Sequence, residues 1–136
     1  MKPPVIVSAC LLGLNTRYDG TNKEDAGLLQ ELAGRHLIPV CPEQLGGLPT
    51  PRPPSSLGGA SGEQVLTGHA RVRATGGDDV TIQFIRGANE VLRLAQLFGV
   101  KEAYLKDGSP SCGLSSFHGV CAAALIRHGV EVHAVS

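Results

Sequence analysis

Apolar positions along the chain alternate between two rhythms. Val5-Ile6-Val7-Ser8-Ala9 is a short β-branched run with little polar interruption, as expected of a strand buried on both faces. Helical spacing follows. Thr21 or Asn22 is a candidate N-cap for a helix reaching about Arg35, with Ala26, Leu28, Leu29, Leu32 and Ala33 on one stripe and Gly34 near its end. Leu37-Ile38-Pro39-Val40 reads as a second strand. Pro39 cannot donate to a ladder, which puts this strand at an edge or the residue near a strand start. Gly46 to Gly62 is mostly Gly, Pro and Ser and predicts a long irregular loop, a kind that in compact domains is usually functional or disordered. Val65 to Ala74 suggests a small hairpin. Asp78 or Asp79 then caps a long helix to about Phe98, with Ile82, Ile85, Ala88, Val91, Leu92, Ala95 and Phe98 on its apolar face and Gly99 as its stop. Ala103–Lys106 predicts a third strand, Val120–Ile126 a short helix ending near Gly129, and Val130–Val135 a last strand.

Strands alternating with helices predict an α/β fold: a small three-layer sandwich whose mostly parallel sheet carries helices on both faces, with the Gly/Pro-rich loop attached. Residues 1–136 fit one domain, long enough to build a core without disulfides or metal. The topology gives the cysteines a meaning that their spacing lacks. Cys10, Cys41 and Cys112 each follow the C-terminal end of a different predicted strand. In a parallel sheet those ends share one edge, where open α/β folds place ligands. Cys121 lies inside the apolar Val120–Ile126 run and reads as a packed core thiol.

Charge narrows the partners. Twelve basic and twelve acidic residues balance, so nothing draws the chain to nucleic acid or to a membrane surface. Met1–Pro4 offers no h-region, and no apolar run approaches the roughly 20 residues of a membrane span. A cytoplasmic protein is therefore expected, with reduced cysteines better suited to metal binding or catalysis than to disulfides. The loop Lys106-Asp107-Gly108-Ser109-Pro110-Ser111-Cys112-Gly113 is the most constrained stretch, and it can present Cys112 at a defined point. Three converging thiolates select zinc, cuprous copper or an iron–sulfur cluster. A structural zinc site usually has a close Cys-x-x-Cys pair, and none occurs here. On these residues alone, metal or cluster binding, a cysteine nucleophile and plain core thiols all stay open.

Five ordered segments resemble a known family. They are Val7–Gly13 (Val-Ser-Ala-Cys-Leu-Leu-Gly), Arg17–Gly20 (Arg-Tyr-Asp-Gly), Cys41–Glu43 (Cys-Pro-Glu), Gly46–Arg52 (Gly-Gly-Leu-Pro-Thr-Pro-Arg) and Ser109–Gly113 (Ser-Pro-Ser-Cys-Gly). Together they span nearly the whole chain and are similar to the bacterial thiouracil desulfidase family. The resemblance implies a 4Fe–4S cluster held by Cys10, Cys41 and Cys112, with one iron open to the sulfur of a thiolated pyrimidine such as 2- or 4-thiouracil. It implies replacement of that sulfur by oxygen, with Glu43 and Ser109 as the catalytic residues. In this reading Glu43 activates water and Ser109 relays a proton or bonds the ring. Arg17, Tyr18, Asp19 and Arg52 contact substrate or lock loops together, and Lys106 either balances cluster charge or is solvated.

The chain departs from the family pattern in places. Pro54-Ser55-Ser56 stands where an acidic residue commonly follows the Pro-Arg segment, and the stretch from Gly113 to the last helix is short, with Phe117-His118-Gly119 for an aromatic-Asp-Gly. Cys121 stands where the pattern has Thr or another small residue. The alternative to an enzyme is a non-catalytic iron–sulfur or zinc module acting as a redox or metal sensor, or a pocket that binds small molecules without turnover.

Overall fold

The computed structural model describes residues 2–114 and 117–136. Met1–Pro4 and the stretch from Gly113 to the last helix, both singled out in the sequence, lie partly outside the described residues. The elements run β1 (Val5–Ser8), α1 (Ala26–Glu31), β2 (Leu37–Val40), α2 (Pro42–Leu45), β3 (Ser55–Ser56), α3 (Gly62–Leu66), β4 (Arg73–Ala74), α4 (Thr81–Phe98), β5 (Glu102–Lys106), α5 (Val120–Arg127) and β6 (Glu131–Val135), with a 3-10 turn over Ala9–Leu12 directly after β1. Four strands form one sheet in the order β2-β1-β5-β6, every neighbouring pair parallel. Strands β3 and β4 make a separate two-residue antiparallel ribbon.

Strand β1 is buried throughout, and its period-2 alternation separates two cores. Ile6 faces the larger one with Ala103, Leu105 and residues of α3, α4 and α5. Val5 and Val7 face the other, packing with Leu11 of the 3-10 turn and with Leu28 and Leu32 from α1 and its end. The sheet therefore lies between a thin layer built on α1 and a thick one built on α4 and α5. Connection handedness explains the division. From β1 the chain steps to β2 on one side, and from β5 it steps to β6 on the other. Right-handed crossovers in opposite directions put α1 and α5 on opposite faces. The strand order thus reverses between β1 and β5, which makes their C-terminal ends the topological switch point.

Three sequence expectations are corrected. Helix α1 starts at Ala26, not near Thr21, because Thr21 is held in a turn by Asp19 (N to Oδ1 3.1 Å, Oγ1 to Oδ1 2.6 Å). The amides of Lys23 and Asp25 then donate to the carbonyls of Cys10 and Leu11, and Asp25 supplies the N-cap by accepting from Leu28 N. Val65 lies not in a hairpin but in α3, which Ser61 and Gln64 open with a capping box. Helix α4 begins at Thr81, where Asp79 accepts the Thr81 amide. Its buried face is Phe84, Gly87, Ala88, Val91 and Ala95, whereas Ile82 and Phe98 of the expected stripe are 63% and 55% exposed. Pro39 is on an edge strand, as its missing amide requires.

Two close backbone approaches set the helices near the sheet edge. A Cβ on Gly87 would stand 1.9 Å from the Pro42 carbonyl oxygen, and one on Gly46 would stand 1.9 Å from that of Gln83. Glycine at both positions lets α2 lie directly on α4. Gly119, just before α5, makes a similar contact: its Cβ would fall 2.3 Å from the carbonyl carbon of Ser111 and 2.7 Å from Cys112 N. The amides of Val120 and Ala122 donate to the carbonyls of Pro110 and Ser111 at 2.9 and 3.0 Å, lacing the start of α5 to the loop after β5.

Candidate functional site

The C-terminal edge of the sheet opens into a cavity of about 390 Å³. Cys10 reaches it from the 3-10 turn after β1, Cys41 from the N-cap position of α2 after β2, and Cys112 from the loop after β5. Glu43, in the first turn of α2, and Ser109 line the same cavity. The five residues singled out in the sequence are thus brought to one place from three strand ends. Cys121 is fully buried among the residues of the larger core and does not line the cavity.

All three cavity cysteines are free thiols, and burial is the main cause raising the pKa of each. Around Cys10 the charges of Arg17 and Lys106 work against burial, while Cys41 and Glu43 add to it. For Cys41 the Glu43 carboxylate adds to burial, and Arg52 opposes. The Cys112 thiol is raised well above its ordinary value, by burial first and then by Cys121 and Glu43. Cys121 too is pushed far up, by burial first and Glu43 second, so it stays a neutral thiol.

The donor set and its spacing test what the thiols fit. Two sulfurs on one zinc, each at about 2.3 Å, cannot be more than roughly 4.6 Å apart. Among the described residues, three ligating atoms fall within 4.8 Å of one another only at Glu102, Glu131 and His133, which do not line the cavity. The thiols of Cys10, Cys41 and Cys112 converge more loosely than a shared single ion requires. As a ligand type, soft thiolates suit iron–sulfur clusters. The zinc alternative fits less well.

Arg52 organises the wall around Cys41. Its guanidinium is almost fully buried and donates through Nη1 to Pro49 O (3.2 Å) and Thr50 Oγ1 (2.8 Å). Through Nη2 it donates to Thr16 O (3.0 Å) and Glu43 Oε2 (3.3 Å), with Cys41 Sγ at 3.9 Å. Its backbone amide donates to Tyr18 O at 2.7 Å. The fork therefore ties the Gly/Pro-rich loop to the 13–20 loop and holds one carboxylate oxygen of Glu43. Arg17, Tyr18 and Lys106 also line the cavity; the Arg17 guanidinium lies 5.9 Å from the Tyr18 ring centre, and Lys106 Nζ donates to Asp107 O at 3.0 Å. Asp19 does not line it and serves the turn described above.

Ser109 lines the cavity and also serves the loop that carries Cys112. Its Oγ accepts from the amides of Ser111 (3.1 Å) and Cys112 (3.2 Å), which shapes the cysteine loop. A serine oxygen has two lone pairs and one proton, so these bonds leave Ser109 its proton to donate. Sequence reasoning missed Ser8, Thr16, Pro53 and Phe84, which line the cavity too. Of these, only Ser8 carried a signal, as a hydroxyl ending an otherwise apolar run two residues before Cys10.

Fold and cavity together define a class: a small parallel α/β protein with a thiol-lined pocket at its topological switch point. The chain matches the 2-thiouracil desulfurase family over residues 5–135 and belongs to that family. It is 37% identical over 109 residues to the uncharacterized protein YbbK of Bacillus subtilis (strain 168), an alignment covering 80% of this chain and 72% of that one. Among solved structures, the 4Fe–4S-dependent thiouracil desulfidase TudS is similar with a TM-score of 0.83 at 40% identity, covering 98% of this chain and 91% of that one. The family resemblance and the α/β fold read from the sequence are both borne out.

Proposed function

We propose that this protein is a 4Fe–4S-dependent desulfidase that exchanges the sulfur of a thiolated pyrimidine, such as 2- or 4-thiouracil, for the oxygen of water. Residues 1–136 act as one cluster-binding domain in the cytoplasm, on a small-molecule base rather than on nucleic acid or at a membrane. No helix among the described residues is long and apolar enough to cross a membrane. The observation that carries the reading is that Cys10, Cys41, Cys112, Glu43 and Ser109 line one cavity at the switch point of a fold shared with TudS at 40% identity.

Cys10, Cys41 and Cys112 hold the cluster, which when bound supplies a Lewis-acidic iron for a soft thiocarbonyl sulfur. Glu43 is the general base. Arg52 occupies its Oε2, which orients the carboxylate and leaves Oε1 to take a proton from water. Ser109, with its lone pairs on two backbone amides, donates its proton to the pyrimidine. Arg52 and the prolines beside it form one wall of the cavity. The exchange balances as thiocarbonyl plus water giving carbonyl plus hydrogen sulfide.

The test separates binding from chemistry. Glu43→Gln keeps the side chain's shape but removes the base. After anaerobic reconstitution with iron and sulfide, its iron content should equal wild type, while turnover of a thiolated uracil falls by roughly two to four orders of magnitude. Disappearance of the thiocarbonyl absorption reports turnover. Wild-type turnover by the variant refutes the role of Glu43. A fully loaded wild-type protein that turns over no thiolated pyrimidine instead favours a sensor.

A further inference from the structure

Ser8 ends β1 at the point where β1 and β5 separate. Ladder pairing between them covers Ile6 with Ala103 and Val7 with Tyr104 and goes no further. The next amide in need of a partner along β5 is satisfied by a side chain: Lys106 N donates to Ser8 Oγ at 2.9 Å. The same hydroxyl lies 3.5 Å from Cys112 Sγ and is 3% exposed. Because the Lys106 amide approaches as a donor, the hydroxyl serves it through a lone pair and keeps its single proton for the sulfur. Water has little access to compete for that proton. Ser8 therefore links the last turn of the sheet to the sulfur that arrives from the most distant part of the chain.

We infer that Ser8 is a positioning residue for the cluster, donating a hydrogen bond to the Cys112 sulfur and thereby setting how firmly the cluster is held and how readily it accepts an electron. This rests on the reading of Cys112 as a cluster ligand. Partners that orient a metal's ligands contribute about 10–100-fold in metal affinity when removed. Hydrogen bonds to ligating sulfur also draw electron density from the cluster and favour its reduced form. Both consequences follow from the hydroxyl and not from packing alone, because a methyl group fills most of the same space.

A neighbouring residue supplies the control. Ser111 Oγ, one residue from Cys112, is buried and has no hydrogen-bond partner among the described residues. Ser111→Ala disturbs the same loop without removing a bond to sulfur. Wild type, Ser8→Ala, Ser8→Thr and Ser111→Ala would be reconstituted anaerobically and compared in iron content, rate of iron release to a chelator, and reduction potential followed by electron paramagnetic resonance. Ser8→Ala should load its cluster but release iron roughly tenfold faster, at the low end of such effects, with a more negative potential. Ser8→Thr, which keeps a hydroxyl, should restore both readouts, and Ser111→Ala should match wild type. If Ser8→Ala does not fold, Ser8→Cys replaces it, since a thiol keeps the volume but is a weak donor. Unchanged release and potential in the variant lacking the hydroxyl overturn the inference, as does an equal change in Ser111→Ala. A wild-type protein that takes up no cluster overturns the ligand assignment itself, and this role with it.

Discussion

Replacing Gly87 with alanine tests whether the approach of α2 to α4 builds the cavity. The new Cβ would stand 1.9 Å from Pro42 O, and ordinary contact begins at 3.4 Å, so the two helices must part locally by about 1.5 Å. Both colliding groups are backbone-borne, and neither can rotate away. Alanine in a helix interior gains about 1 kcal/mol over glycine, whereas overpacking costs about 1–3 kcal/mol. Contact at this distance belongs at the upper end, leaving a net loss of about 2 kcal/mol and a Tm lower by roughly 5–10 °C. The larger effect is on function. Helix α2 carries Cys41 at its N-cap and Glu43 in its first turn, and a misplacement of about 1 Å can cost a hundredfold in rate. Thermal unfolding, iron content after reconstitution and turnover of a thiolated uracil would be measured together. Gly27→Ala is the opposing control. Gly27 is an exposed residue of α1 whose Cβ would meet nothing nearer than Asp25 Oδ1 at 3.4 Å, so alanine there should raise stability by about 0.4–1 kcal/mol. A Gly87→Ala protein as stable as wild type with full turnover would refute the argument.

Other residues make separate predictions. Arg52→Ala leaves the half-buried Glu43 carboxylate without its cation and frees two loops, so denaturant unfolding should show a loss of about 3–5 kcal/mol; a loss below about 1 kcal/mol contradicts the role assigned to the fork. The Asp79 carboxyl is held far below the usual range by hydrogen bonds from Arg71 and then Thr81. Its contribution to stability is therefore complete above the ordinary carboxylate pKa of about 4 and is lost as pH falls below it. Asp79→Asn should flatten the acid limb of the Tm–pH curve, and identical acid limbs would exclude the linkage. Cys121→Ala should lose about 1 kcal/mol of stability yet load iron as wild type does, whereas Cys10→Ala should not; loss of iron from a folded Cys121→Ala protein reverses the ligand assignment.

What could be read from the sequence was local or followed from topology. Val5-Ile6-Val7 needed only its β-branched, unbroken pattern, and Gly99 closed α4 in the left-handed conformation that glycine adopts freely. Convergence of Cys10, Cys41 and Cys112 was legible because strand ends on one edge of a parallel sheet leave remote residues little freedom to be elsewhere. Tertiary structure decided the rest. Apolar residues cover more than one stripe of α4, and the close approach of Pro42 to Gly87 turned Phe84 inward and left Ile82 in solvent. The start of α1 depended on Asp19 and on amides that bond back to the 3-10 turn, contacts outside any helical window. Ser8 and Arg52 owe their places to partners up to 104 residues away. A periodic pattern reports which residues avoid water, but hydrogen bonds between distant segments form only after those segments have been packed together.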